Sequence, residues 1–192
     1  MKQGICAVLM AVAGGWVWNC ARAQETNACL LPPQTRLEAF ETNTDTVIIT
    51  ATAPMGAVAA NAGALSVKCR EVTDASTGRR EYGVVIGTSE GESAEDRALL
   101  DYEELEPLLG ALDYLNRVGW SVTSLPGFDA RYTTKGGFRV AAFGSRRTGS
   151  IEFAARNTRS GRAPLVLSRE QITQLRSLIE QAKTKLDELR RG

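Results

Sequence analysis

The sequence predicts an α+β domain: two tandem β-β-β-α repeats forming a largely antiparallel sheet with two helices packed on one face. Three observations predict it. A helix-start pattern occurs twice at a spacing of 67 residues, the apolar helix positions after it recur at that spacing, and an alternating hairpin precedes each copy.

The chain opens with an address. Lys2 gives a small positive region, Ile5 to Trp18 form a mostly apolar run, and Ala21-Arg22-Ala23 offers small residues before Gln24. Together they read as a cleavable secretory signal over residues 1–23, with the remainder exported to the periplasm or secreted. The apolar run is shorter than the roughly 20 residues a spanning helix needs, and Gly14-Gly15 interrupts it, so no transmembrane segment is expected once the signal is removed. Residues 24–36 read as an extended N-terminal segment. Residues 37–191 read as a single domain made of two copies, 37–118 and 125–191.

Each copy opens alike, Leu37-Glu-Ala-Phe40-Glu41 resembling Leu125-Pro-Gly-Phe128-Asp129, and both read as first strands. The first copy is lengthened by an Ala- and Gly-rich insertion between Thr46 and Gly63, readable as part of a strand or as a loop, and by the acidic loop Ser89 to Arg97. The hairpins follow. Leu65, Val67 and Cys69 run into Thr73–Gly78, and Tyr82, Val84 and Ile86 return; pairing Val67 with Val84 sets Arg70 opposite Glu81. Phe138, Val140 and Ala142 run into Gly144–Gly149, and Ile151, Phe153 and Ala155 return, with Val140 opposite Phe153.

The helices begin at Asp101-Tyr-Glu-Glu104 and Ser168-Arg-Glu-Gln171, each a capping residue followed three places on by a side chain able to reach back to its amide. Leu105, Leu108 and Leu112 then match Ile172, Leu175 and Ile179. Pro107 interrupts the first pattern, so that helix either kinks there or starts near Glu106 with the proline in its first turn.

The run Cys69-Arg-Glu-Val-Thr-Asp, with Gly78, Tyr82-Gly83, Leu100-Asp-Tyr-Glu-Glu-Leu and Leu112-Asp-Tyr-Leu, resembles uncharacterised exported bacterial proteins of similar length. The resemblance covers most of the exported part and implies no activity, substrate or partner.

The 192 residues contain no histidine, and 23 Lys and Arg nearly balance 22 Asp and Glu. Without imidazole, the Ser/His/Asp and Cys/His nucleophile systems and histidine-ligated zinc or haem are excluded. No cofactor and no metal site are expected. Cys6 and Cys20 leave with the signal, so Cys29 and Cys69 are expected to pair as a disulfide closing a loop of about 40 residues, worth about 3 to 4 kcal/mol.

Charge is polarised along the chain. Residues 81–116 carry 10 acidic side chains against Arg97, and residues 131–169 carry 9 basic ones against Glu152. Acidic and basic surfaces can then face each other, within one molecule or between two. Arg131, Arg139, Arg146, Arg147, Arg156, Arg159 and Arg162 are the candidate ligand-binding residues, suited to bidentate capture of an anion such as phosphate, sulfate, an anionic polysaccharide or a lipid head group.

With helices on one face of the sheet, Arg139, Ala141, Glu152, Ala154 and Arg156 line the open face. The expected function is a non-catalytic module that binds an anionic ligand, a protein partner or a second copy of itself there. Nucleic acid is not expected, because no zinc-finger or aromatic RNA-binding motif accompanies the arginines. The rival is an extracytoplasmic hydrolase using carboxylates such as Asp101, Glu103, Glu104 and Glu106, although helix capping already accounts for the first and third.

Overall fold

A computed structural model describes residues 32–89 and 96–191. Thr35 starts the first helix, α1 (Arg36–Glu41), its hydroxyl accepting from the Glu38 amide at 3.1 Å. Four strands follow: β1 (Ile48–Ala60), β2 (Gly63–Asp74), β3 (Arg80–Ser89) and β4 (Asp96–Asp101). A 3-10 turn then leads into α2 (Leu105–Arg117). The pattern of four strands and a helix recurs as β5 (Gly127–Thr133), β6 (Phe138–Ser145), β7 (Ser150–Asn157), β8 (Leu165–Leu167) and α3 (Arg169–Arg191).

The class is α+β, but several expectations are corrected. The strands form two antiparallel four-stranded sheets, β1-β2-β3-β4 and β5-β6-β7-β8, in place of one continuous sheet. Each half has four strands, because Ala98 and Leu100, like Leu165 and Leu167, alternate inward on a short strand just before the helix. Residues 36–41 are helical where a first strand was expected, since the Thr35 cap outweighs the likeness to Leu125–Asp129. The first strand is the Ala- and Gly-rich insertion itself.

Both hairpin registers lie two residues from the expected ones. Val67 pairs with Ile86 and Cys69 with Val84; Val140 pairs with Ala155 and Ala142 with Phe153. A slip of two keeps every side chain on its face, so the apolar pattern alone does not resolve it. The turns decide it: Gly78 and Gly149, at φ 69° and 70°, let the chain reverse within residues 75–79 and 146–149. Arg70 therefore faces Gly83, and its guanidinium pairs with Glu41 at 2.5 Å instead of Glu81.

The two helix starts form as expected. The Asp101 amide donates to Glu104 at 3.0 Å, the Ser168 amide donates to Gln171 at 2.6 Å, and the Gln171 amide returns to the Ser168 hydroxyl at 3.2 Å. Pro107 sits in the first turn of α2, where no intrahelical amide is required of it.

The helices cross over between the halves: α3 packs on β1, β2 and β3, α2 packs on β5 and β6, and the two helices pack on each other. Leu105, Leu108, Leu112, Ile172, Leu175 and Ile179 are fully buried in a single core with Val67, Ile86, Val140 and Phe153. The capping side chains fasten this exchange. The second oxygen of Glu104 accepts from the Lys135 amide in the β5–β6 turn at 2.7 Å, and Gln171 donates to the Ala59 carbonyl on β1.

Cys69 lies in this core as a free thiol, with Sγ donating to the Ala182 carbonyl at 3.5 Å. The expected partner, Cys29, lies outside the described residues.

Candidate functional site

The outer faces of the two sheets differ. On the first, α1 packs across β2, β3 and β4. Leu37 presses onto Gly83, where an added Cβ would stand 2.2 Å from Leu37 Cδ1. Leu37, Val72 and Val85 are buried apart from the main core, and Arg70–Glu41 and Arg159–Glu38 pairs tie the helix down. The second sheet carries no such helix among the described residues.

Its outer face is built by alternation. Phe138, Val140 and Ala142 turn inward on β6, as Phe153 and Ala155 do on β7, and the residues between them turn outward. The register then sets three rows across the strands. Asp129, Phe143 and Glu152 form the first, Arg131, Ala141, Ala154 and Val166 the second, and Thr133, Arg139 and Arg156 the third. The two alanines leave a trough between taller neighbours. It encloses about 330 Å³ and is lined by Asp129, Arg131, Arg139, Ala141, Phe143, Ala154, Arg156 and Pro164.

Three of the seven arginines singled out from the sequence meet here. Arg139 and Arg156 stand directly opposite each other across the strand pair. Among the described residues neither has a carboxylate partner; Arg139 donates to the Thr133 hydroxyl at 2.9 Å. Like charges in directly opposed positions repel, which an anion between them converts into attraction. Arg131 borders the trough, loosely paired with Asp129 at 3.6 Å. The floor of Ala141, Ala154 and Pro164 is apolar, so the site offers guanidinium charge at one end and a hydrophobic bed beside it.

The other four arginines go elsewhere. Arg146 donates to the carbonyls of Leu125, Trp120 and Thr123 at 3.3, 3.0 and 3.0 Å and stacks over Trp120, which makes it a clamp on the loop entering β5. Arg147 sits in the exposed β6–β7 turn. Arg159 pairs with Glu38, and Arg162 lies half-buried beside Thr88 and Ser89. No ion pair joins the acidic window of residues 81–116 to the basic window of 131–169 among the described residues, so the expected complementarity within the molecule is not built from salt bridges.

The carboxylates of the rival reading are engaged. Asp101 accepts from the amides of Arg36 and Leu37 at 3.0 and 3.1 Å, and Glu104 holds Asp101 and Lys135. Of the acidic loop between Ser89 and Arg97, residues 90–95 lie outside the described residues. A second cleft, of about 400 Å³, contains Arg36, Arg80 and Arg190. Its charge is largely met: Arg36 pairs with Glu103, Arg80 lies 3.6 Å from Glu71, Glu81 joins the lining, and Arg190 stacks on Tyr102 at 3.9 Å.

The sequence reading placed Arg139, Ala141, Ala154 and Arg156 together on the outer sheet face, and in the structure they lie together there. It missed Phe143, which extends the outward alternation of Arg139 and Ala141 on β6, and Pro164, whose place depends on β8 lying beside β7. Comparison with family models, curated proteins and solved structures finds no match. Among the described residues, no helix is long and apolar enough to cross a membrane.

Proposed function

We propose that this chain is an exported, non-catalytic binding module whose ligand is an anion with an apolar or planar body, held in the trough on the open face of the second sheet. The observation that carries the reading is the opposed pair Arg139 and Arg156, unpartnered by carboxylate among the described residues and set beside the small-residue floor. Two guanidiniums on neighbouring strands of one trough offer N–H donors to a sulfate, phosphate or carboxylate, and Arg131 adds a third charge at the rim. Ala141 and Ala154 give the ligand's body room to lie on the sheet.

Export rests on Lys2, the apolar run Ile5 to Trp18 and Ala21-Arg22-Ala23. The two halves are read as copies of one unit, supported by matched capping boxes and matched core leucine and isoleucine positions at a spacing of 67 residues.

Titration with inorganic sulfate and with dextran sulfate, followed by the backbone amide signals of Ala141 and Ala154, tests the site. Both signals shift, the polymer binds more tightly, and the R139A/R156A double variant lowers affinity by about tenfold or more, while Arg147→Ala changes it little. Silent Ala141 and Ala154 signals, or an equal loss in Arg147→Ala, overturn the reading.

A further inference from the structure

Strand β1 carries an unusual combination of length, position and composition. It has 13 residues and, among the described residues, lies at the edge of the first sheet, paired on one side only, with β2. From Thr46 to Val67 the sequence contains no Asp, Glu, Lys or Arg, in a chain that is 23% charged. Exposed edges normally carry charges, stay short or are covered, because their free amides and carbonyls recruit other strands. The other edges follow that rule. β4 carries Asp96, Arg97 and Asp101, β5 carries Asp129 and Arg131, and β8 is three residues long and preceded by Pro164.

The direction of the free groups can be read from the ladder. The Ala75 amide donates to the Val47 carbonyl at 3.0 Å, which makes Val47 and Ala75 a hydrogen-bonded pair just beyond β1 and β2. Antiparallel pairs alternate, so Ile49, Ala51 and Ala53 bond toward β2, while Ile48, Thr50 and Thr52 turn their amides and carbonyls away from it. Pro54 holds the next outward position, where its missing amide takes nothing from the ladder, and the register shift between Pro54 and Gly56 ends the regular stretch. The open edge is thus Ile48–Ala53. Most of it is solvent-exposed, and two large apolar side chains near it, Ile49 and Leu189, are 54% and 41% exposed. Leu189 shares a small groove with Ala51 and Ala53.

We propose that this edge pairs with the same edge of a second copy, antiparallel and about a two-fold axis at Thr50, doubling the four-stranded sheet. In that register Thr50 faces Thr50 of the second copy and Ile48 faces Thr52, so every outward amide from residues 48 to 52 meets a carbonyl. Ile49 faces Ala51 in the close, non-hydrogen-bonded pairing, on the side where Leu189 can cover it. A segment self-complementary under a two-fold satisfies the requirement for a closed dimer. Its lack of charge favours a second copy over a foreign strand: self-pairing about an axis sets identical or near residues face to face, which charged side chains would oppose and Thr, Ala and Ile do not.

This association is distinct from ligand binding in the trough and is tested apart from it. Sedimentation velocity of the purified protein from about 1 µM to about 1 mM, the span over which weak associations become populated, is run at low and high salt. A dimer forms whose constant changes little with salt, because no ion pair holds it. Thr50→Pro removes a central donor and Thr50→Lys sets like charges opposite each other; each weakens the dimer by about tenfold or more with the far-ultraviolet circular dichroism unchanged. The R139A/R156A double variant dimerises as the wild type does. As a second readout, an I49C/A51C double variant becomes a covalent dimer on mild oxidation, whereas an A57C/A59C variant beyond the bulge does not. A monomer throughout the concentration range, a dimer that survives both Thr50 substitutions, or one that R139A/R156A abolishes would overturn the proposal.

Discussion

Asp74 shows how much a single side chain does at a turn. One of its oxygens accepts from the hydroxyls of Thr46 and Ser76 and from the amides of Ser76 and Thr77, at 2.8, 2.6, 2.8 and 3.2 Å. Those donors favour the charged form and hold the carboxyl well below its ordinary 3.8. Because the folded value is depressed, the stability it contributes is fully present above pH 3.8 and drains away as pH falls below it. Asp74→Asn is therefore expected to lower the melting temperature most at neutral pH, with the gap to wild type closing as the acid limb is descended; thermal melts from pH 7 to 2 check this. Burial acts in the opposite direction at Cys69, pushing its thiol up to about 11 and leaving it a packing group rather than a nucleophile. Both positions were visible in the sequence as residue types, but only the surrounding donors and apolar walls gave them these properties.

The β5–β6 turn ties one half to the other at the level of elements. Thr134 receives the chain reversal with its amide on the Phe138 carbonyl at 2.9 Å, and Lys135 is held by Glu104. Gly136 lies flat against β4, where a Cβ would stand 1.8 Å from the Leu99 carbonyl oxygen. Backbone cannot yield as a flexible side chain would, so Gly136→Ala must lift the turn from β4 and break the Glu104 contact. A loss of about 1 to 3 kcal/mol is expected in chemical denaturation, against little change for Gly119→Ala between α2 and β5, where the backbone is extended and an added Cβ meets nothing within 4 Å. The helices themselves were legible beforehand, because caps and a 3.6-residue apolar period are local signals. Strands β4 and β8 were not, being short and defined by their neighbours, and the two-residue register slip was invisible because it preserves both faces.

At the scale of the molecule, the exchange of helices makes the halves depend on each other. Without α3, the inner face of β1–β3 loses its cover, and without α2 so does that of β5 and β6. Leu65, Val67, Ile86, Phe138 and Val140, all fully buried in the intact chain, would then meet water. Fully burying such a side chain is worth about 1.5 to 3 kcal/mol, so a half that exposes several falls below the few kcal/mol that small domains hold in reserve. Separately produced fragments covering residues 33–118 and 119–192 are expected to be unfolded by amide chemical-shift dispersion, and to regain native dispersion when mixed. A folded isolated half would show that each sheet keeps its own helix.

Composition, periodicity and capping pairs belong to the sequence alone, and they determined the α+β class, both long helices, the inward faces of the hairpins and an arginine-bearing outer face. These are properties of neighbours along the chain, carried by spacings of two, three and four residues. Which helix covers which sheet, where α1 lies, which arginines converge and which become clamps were decided by the tertiary structure. The reason is that an apolar stripe specifies that it must be covered, not by what: the apolar stripe of α3 would be satisfied by either sheet, and packing the whole chain at once selects the first sheet, far earlier in the sequence.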